Sequence, residues 1–236
     1  MSRLWAVIPA AGSGSRMGAA LPKQYLTIDG RTVLEHTLQR VLAFARVRRV
    51  VVSIARDDPW FAGLPVAADA RVQTCVGGAE RSDSVLNALD ALAAEARAGD
   101  FVLVHDAARP CVRLSEMVAL VAAAAEEGTG ALLAMPVVDT VKQSDAEGRV
   151  AQTLDRNQVW LAATPQVIRY GVLRDALIDA RRNGIVVTDE AQAVERLGGR
   201  PRLVACSRDN LKITRAEDLA LAAFWLQRQR EESPHD

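Results

Sequence analysis

The stretch Leu4-Trp5-Ala6-Val7-Ile8-Pro9-Ala10-Ala11-Gly12-Ser13-Gly14-Ser15-Arg16-Met17-Gly18 decides how the rest of the chain is interpreted. Its first five residues form an apolar run of the length and residue type of a buried parallel strand. The run passes into small residues and glycines, whose backbone N–H groups can approach an anion closely. Arg16 and Lys23 add positive charge to the same loop. The stretch therefore predicts a strand followed by a polyphosphate-binding loop.

Other interpretations of this loop are open to test by spacing. A Walker loop requires Gly-Lys before Ser or Thr, and no Gly-Lys pair occurs in the chain. The dinucleotide fingerprint requires a third glycine at the position of Met17. Asp57 or Asp58 could serve as the acidic residue of an NAD-dependent dehydrogenase, which stays a remote alternative. A plain strand-to-helix turn explains the glycines but not the nearby Arg16 and Lys23.

Length and composition favour a globular protein that binds small molecules. The chain has 236 residues, of which 50% are hydrophobic and 25% charged, and we expect one domain over residues 1–236. Lys plus Arg equals Asp plus Glu at 29 each, so no basic surplus favours nucleic acid.

The sequence also indicates a compartment. No apolar run reaches the roughly 18 residues of a membrane span, and the N-terminus lacks a signal-peptide pattern. Cys75, Cys111 and Cys206 are widely spaced, which favours neither a disulfide framework nor a zinc site. We expect a cytoplasmic protein that binds no membrane.

The remaining chain alternates predicted strands and helices, as is typical of a mostly parallel α/β sheet. Strands are predicted at residues 49–54, 72–76, 101–105, 131–138 and 201–205, and helices at 32–45, 82–96, 117–127, 172–180, 190–197 and 216–228. Ser115 is the expected N-cap of the 117–127 helix, and Thr214 with Glu217 forms a capping box for the last one. The polar tail 229–236 is expected to be disordered.

Between residues 137 and 161 the pattern changes to a long β-hairpin that turns at 145–148. A lone hairpin has little stability in water, so it must pack on something. We expect it to pack on a second subunit in a homodimer, although packing on its own domain stays open.

Asp106 directly follows the predicted buried strand 101–105, at the edge where open α/β sheets place their ligands. A bare carboxylate would repel a polyphosphate, so we interpret Asp106 as the ligand of a divalent cation. Capping of the segment that follows is the alternative, and the nearby Arg109 favours the cation. His105 is interpreted as structural.

These motifs, once assembled, resemble the nucleotidyltransferases that load a sugar or polyol phosphate onto a nucleoside triphosphate. Within that superfamily the sequence most resembles the family of 2-C-methyl-D-erythritol 4-phosphate cytidylyltransferases. The resemblance is carried by residues 9–18, 22–25, 77–85, 105–110, 139–142, 155–157, 164–166, 188–190 and 210–214.

The resemblance implies a Rossmann-like, mostly parallel sheet with helices on both faces, of the nucleotide-diphospho-sugar transferase type, and an extended hairpin arm at 137–161 that joins a homodimer. It implies transfer of CMP from CTP to 2-C-methyl-D-erythritol 4-phosphate with Mg²⁺ or another divalent cation, in the non-mevalonate route to isoprenoid precursors. A cytidylyltransferase acting on ribitol 5-phosphate or another sugar phosphate would share nearly every motif and stays the alternative. A non-catalytic nucleotide-binding module is the more remote one.

The resemblance also implies roles for individual residues. The catalytic positions are Arg16, Lys23, Arg156 and Lys212. The nucleotide positions are Ala10, Ala11, Gly12, Ser13, Gly14, Gly78, Ala79, Ser84, Asp106 and Ala107, with Asp106 also the metal ligand. The positions that bind the alcohol phosphate are Thr140, Arg156 and Lys212, with Arg109, Thr164, Asp189 and Asp209 as weaker candidates. Ala79 departs from the acidic residue often found at its position, a change that backbone contacts to the base would tolerate.

Overall fold

The computed structural model describes residues 2–12 and 21–232. The strands are β1 (Leu4–Pro9), β2 (Thr27–Ile28), β3 (Arg31–Thr32), β4 (Val47–Ile54), β5 (Val72–Val76), β6 (Phe101–Val104), β7 (Ala131–Pro136), β8 (Val141–Ser144), β9 (Val150–Leu154), β10 (Trp160–Arg169) and β11 (Arg202–Ala205). The helices are α1 (Val33–Ala43), α2 (Arg81–Ala91), α3 (Leu114–Glu127), α4 (Tyr170–Arg182), α5 (Glu190–Arg196) and α6 (Glu217–Glu232).

A seven-stranded sheet in the order β11-β7-β10-β6-β1-β4-β5 forms the centre of the molecule. Its strands pair in parallel except β10, which runs antiparallel to both β6 and β7. The predicted mostly parallel α/β sheet is therefore confirmed.

Helices cover both faces of this sheet. Along β1 the side chains alternate: Ile8 and its like-facing neighbours pack with α1 and α3, whereas Trp5 and Val7 pack with α2, α4 and α5. Because both faces are covered, β1 and β6 are buried over nearly their whole length. The apolar run that opens the sequence is a central strand for this reason.

The strand β10 was missed by sequence analysis. Pro165 interrupts its pattern, and proline is normally excluded from central strands. The pairing of β10 with β7 shifts register between Ala162 and Gln166, and Pro165 lies within that gap. The ladder therefore accommodates the proline without a lost hydrogen bond at that position.

Several helix ends differ from the predictions. Helix α3 begins at Leu114 with Arg113, rather than Ser115, as its N-cap, because the Glu116 carboxylate accepts a hydrogen bond from the Arg113 backbone N–H. The predicted box between Thr214 and Glu217 is also wrong. The Asp218 carboxylate accepts from both the backbone N–H and the hydroxyl of Thr214, since that carboxylate lies one residue further along the first turn.

The expected disorder of residues 229–236 is wrong for the part that the structure describes. Helix α6 continues to Glu232, and Gln229 is buried against the body of the protein. Its amide donates hydrogen bonds to the Cys111 carbonyl and to the Asp209 carboxylate. The polar composition of this segment therefore gave no sign that the Gln229 side chain faces the protein interior.

The predicted hairpin is confirmed as the pair β8 and β9, which forms a separate two-stranded antiparallel sheet. Asp145 closes its turn by accepting hydrogen bonds from the N–H groups of Glu147 and Arg149. Val138 and Val150 beside it are 51% and 64% exposed. Among the residues that the structure describes, no helix is long and apolar enough to cross a membrane.

The site-forming loops meet at the carboxyl edge of the sheet, where β1, β5 and β6 end. Gly77, after β5, approaches the loop after β1 so closely that a Cβ built on it would lie 2.3 Å from the Ala11 Cβ and 2.9 Å from the Ser84 Oγ. Its N–H is also bound to the Ile54 carbonyl. Glycine is required here because the two loops and the start of α2 share this space.

We predict that Gly77→Ala separates these loops and lowers the free energy of unfolding by about 1–3 kcal/mol, as overpacking typically does. Gly99→Ala is the matched control, because a Cβ at Gly99 meets no atom within 4 Å. Denaturant unfolding of the two variants checks the prediction, and equal stabilities would contradict it.

Candidate active site

A cavity of about 660 Å³ opens where β1, β5 and β6 end. The predicted residues that line it are Ala10, Ala11, Gly12, Lys23, Gly78, Ala79, Ser84, Asp106, Ala107 and Lys212. Further lining residues are Pro9, Gln24, Glu80, Arg81, Ala108 and Thr214. The fold therefore brings together segments that lie more than two hundred residues apart in the sequence, from Pro9 to Thr214. Ser13, Gly14 and Arg16 lie outside the described residues.

Gln24 shapes the loop after β1. Its buried side chain donates hydrogen bonds to the carbonyls of Ala10 and Gly12 at 2.7 and 3.1 Å. With these two carbonyls held, the backbone of residues 10–12 is fixed along the cavity wall. Sequence analysis quoted Gln24 within a motif but gave it no role.

Ser84 shapes the opposite wall. The N–H of Gly78 donates to the Ser84 hydroxyl, which in turn donates to the Glu80 carbonyl. A Cβ on Gly78 would lie 2.2 Å from the Asp83 Cβ, so the backbone can follow this path only at a glycine. The cavity thus meets main chain rather than side chains at residues 78–79.

Asp106 lies at the centre of a cluster of positive charges. Its Oδ1 is 3.1 Å from Arg81 Nε, and its Oδ2 is 3.3 Å from Arg109 Nε and 2.9 Å from Lys212 Nζ. Burial alone would raise the pKa of this carboxyl, but Arg81, Lys212 and Arg109 outweigh burial and hold the pKa far below its usual range. Asp106 is therefore ionised at neutral pH.

His105 beside it is structural, as predicted. It is fully buried, with Nε2 2.9 Å from the Arg109 carbonyl and Nδ1 2.9 Å from the Thr164 hydroxyl. Burial lowers the pKa of His105 to about 4, so the ring is neutral at pH 7. A neutral ring donates from Nε2 to the carbonyl and accepts at Nδ1 from Thr164.

The four weaker candidates for binding the alcohol phosphate do not line the cavity. They stabilise the segments around it. Thr164 accepts the Asp106 N–H at 2.9 Å, and Arg109 donates to the Asn210 carbonyl at 2.7 Å. Asp189 is the N-cap of α5, accepting from the Gln192 N–H. Asp209 is buried and forms an ion pair with the partly exposed Arg113 at 2.6 Å. Their positions favour support of the site over contact with a ligand.

The two hairpin candidates lie apart from this cavity within the described chain. Thr140 and Arg156 are both exposed, and Arg156 donates to the Val138 carbonyl at 2.6 Å. Neither lines the cavity of its own chain.

The pairing of Arg81 with Glu190 at this site was not predicted from the sequence. Arg81, the first residue of α2, directs its two terminal nitrogens at the Glu190 carboxylate, at 2.5 and 3.2 Å. Glu190 is 1% exposed and lies 109 positions further along the chain. Both lie in quoted motifs, but no local pattern connects them.

Asp58, which a dehydrogenase would need for a ribose, has other partners. Its carboxylate accepts the Tyr25 hydroxyl at 2.6 Å and the N–H groups of Trp60 and Phe61. It therefore fixes the turn after β4.

The donor set at the cavity suits a cation that is held mainly by a substrate. Among the described residues, no group of three or more His, Cys, Asp or Glu side chains could hold a metal ion. Asp106 offers a single ionised carboxylate. Mg²⁺ in phosphate-transferring sites is commonly held by one or two carboxylates together with substrate phosphates and water. Because the two Asp106 oxygens already lie within 3.3 Å of Arg81, Arg109 and Lys212, a cation beside Asp106 would depend mainly on the phosphates of a substrate.

The chain was compared with known families and proteins. The sequence profile of the family described as 2-C-methyl-D-erythritol 4-phosphate cytidylyltransferase matches residues 4–228. The protein of that name from Vibrio vulnificus strain CMCP6 is 47% identical over 231 residues, covering 98% of both chains. The one from Pseudomonas putida is 52% identical over 227 residues, covering 96% of this chain and 94% of the relative.

Solved structures give the same result. A crystal structure of 4-diphosphocytidyl-2C-methyl-D-erythritol synthase superposes with a TM-score of 0.82 at 36% identity, covering 96% of this chain and 99% of the other. The cytidylyltransferase of Francisella tularensis superposes with a TM-score of 0.81 at 35% identity, covering 95% and 100%. Sequence, fold and the residues around the cavity agree, and the chain belongs to the 2-C-methyl-D-erythritol 4-phosphate cytidylyltransferase family.

Proposed function

We propose that this chain transfers the cytidylyl group of CTP to 2-C-methyl-D-erythritol 4-phosphate, giving 4-diphosphocytidyl-2-C-methyl-D-erythritol and pyrophosphate for isoprenoid precursor synthesis. The observation that carries the proposal is the cavity itself. Glycine-rich backbone, Lys23, Lys212 and the ionised Asp106 surround one space, in a chain that matches the family from residue 4 to 228.

The reaction needs no nucleophile from the protein. An oxygen of the alcohol phosphate, already anionic at neutral pH, attacks the α-phosphorus of CTP. The bond from that phosphorus to the oxygen bridging to the β-phosphate breaks, and pyrophosphate leaves with the electron pair. None of the three cysteines lines the cavity, and burial raises the pKa of Cys75, that of Cys111 to about 12 and that of Cys206 to about 11. The scheme therefore gives no role to a thiol.

Catalysis is then a matter of positioning two polyanions and stabilising the charge that builds at the α-phosphorus. Lys23 and Lys212 supply positive charge from one wall, since Lys23 Nζ donates to the Ile213 carbonyl, next to Lys212, at 3.0 Å. The family resemblance adds Arg16, which lies outside the described residues, to this set. The triphosphate meets the backbone of residues 10–12, and the resemblance extends its contacts to Ser13 and Gly14.

The cytosine and ribose occupy the wall formed by Gly78, Ala79, Ser84 and Ala107. The backbone groups there read a small pyrimidine without an acidic side chain at Ala79. A divalent cation would be held by Asp106 and the phosphates, and when bound it would offset their negative charge. Arg81 and Arg109 keep Asp106 ionised and oriented for that role.

The alcohol phosphate requires residues beyond one chain's cavity. We propose that residues 1–236 form one domain, whose arm at 137–161 reaches across a two-fold axis in a homodimer. Thr140 and Arg156 of the arm, exposed in the single chain, then complete the alcohol-phosphate site of the neighbouring subunit. The exposed Val138 and Val150 provide apolar surface for that contact.

We predict pyrophosphate release from CTP with 2-C-methyl-D-erythritol 4-phosphate and a much lower kcat/KM with ribitol 5-phosphate. Lys23→Ala is the matched inactive control, expected to lower kcat about 100-fold or more, because it removes a charge that acts mainly in the transition state. Coupled measurement of pyrophosphate with each alcohol checks both points. No release with either alcohol would refute the function, and preference for ribitol 5-phosphate would reassign the substrate.

The shared site predicts recovery of activity on mixing. A Lys23→Ala chain lacks its own charge, and an Arg156→Ala chain lacks the group that serves its neighbour. A heterodimer of the two has one site with both lesions and one with neither, so random exchange should restore about a quarter of wild-type activity.

Mass spectrometry of the mixed sample verifies subunit exchange, and mixing two Lys23→Ala preparations is the control. Proven exchange without recovery would show that each chain completes its own pocket.

A further inference from the structure

The Arg81 side chain is directed toward Glu190, and the proposed reaction does not explain this orientation. Arg81 lines the cavity into which the polyphosphate would enter, and guanidinium is well suited to binding two phosphate oxygens at once. Yet its terminal nitrogens are both directed at Glu190, and its Nε is directed at Asp106. The cation is therefore engaged by protein carboxylates.

Glu190 is held firmly on the far side of this contact. It is the first residue of α5, whose start is fixed to the sheet by the buried Gln166 of β10. Gln166 donates to the Asp189 carboxylate at 3.0 Å and accepts from the Ala191 N–H at 2.8 Å. The carboxylate between these two anchors has little freedom to follow Arg81 if that side chain moves.

The charges around Asp106 explain why such an anchor is useful. Arg81, Arg109 and Lys212 all point at one carboxylate, and any of them could be drawn toward an incoming polyanion. A cation that binds triphosphate and pyrophosphate equally well would tighten both complexes without lowering the barrier, and it would slow product release.

We propose that Glu190 is a positioning residue. It holds the Arg81 guanidinium away from the polyphosphate and keeps it in fixed contact with the Asp106 carboxylate. The inference rests on the proposed cytidylyl transfer. Asp106 then presents its Oδ2 to Lys212 in one orientation, and the phosphates are left to Lys23, Lys212 and the backbone of residues 10–12. Removal of Glu190 would release the guanidinium into the cavity.

The inference predicts a gain of binding upon mutation. In Glu190→Gln the freed Arg81 should bind inorganic pyrophosphate roughly tenfold more tightly than wild type, the value of one charge-assisted hydrogen bond. Its kcat should fall about tenfold, because Asp106 and Lys212 lose their fixed orientation. A merely structural role for Glu190 would weaken pyrophosphate binding instead.

The experiment is calorimetric titration of the full chain with pyrophosphate, with and without Mg²⁺, alongside thermal unfolding. Glu195→Gln removes the same charge from the exposed side of the same helix and should bind as wild type does. The double variant Arg81→Met with Glu190→Gln should return to within about threefold of wild type, because the withheld guanidinium contributes nothing to the normal complex.

Unchanged or weakened binding in a folded Glu190→Gln protein would overturn the inference. If Glu190→Gln does not fold, the test rests on the double variant of Arg81→Met with Glu190→Gln, in which the lost charges balance. Pyrophosphate binding by this double variant that is much weaker than wild-type binding would show that Arg81 already binds the phosphates in the wild-type protein. Binding requires no turnover, so these outcomes are separate from a failure of wild type to consume CTP, which would refute the proposed function.

Discussion

The structure depends on one ionised carboxylate, that of Asp106, placed among three cations at the end of a buried strand. An isolated charge at this depth would lower the free energy of unfolding. Removal of the carboxylate, or of the cations around it, would leave the opposite charge buried and uncompensated. The carboxylate therefore ties together α2 through Arg81, the loop after β6 through Arg109, and the segment before α6 through Lys212. Distant parts of the chain converge on the cavity because each contributes a charge to this cluster.

Around the cluster lies a second layer of residues that hold its backbone without lining the cavity. Thr164 and His105 fix the backbone at Asp106, and Asp189 and Gln166 fix the start of α5. Such residues belong in a signature because a displaced frame moves every group it supports. This accounts for motifs that look functional in the sequence and are buried in the fold.

Local patterns were enough to predict much of this molecule. The strand β1 and the hairpin of β8 and β9 were predictable because apolar runs and turn residues act over a few positions. The strand β10 was not, since Pro165 concealed it and only its register gap tolerates a proline. The pairing of Arg81 with Glu190 was also hidden, because it forms across 109 positions and depends on the tertiary fold. The end of α6 was misjudged for the same reason, as the tertiary contacts of Gln229 outweigh its polar neighbours.

The fixed contact of Arg81 with Glu190 and Asp106 is expected to persist when CTP enters the cavity. A crystal structure of the protein with CTP and Mg²⁺ tests it most directly. We expect the triphosphate to lie against the backbone of residues 10–12 and Lys23, the cytosine to lie beside Gly78 and Ala79, and Arg81 to remain bound to both Glu190 and Asp106. A structure in which Arg81 has left Glu190 to contact the triphosphate, or in which the nucleotide lies outside this cavity, would contradict it.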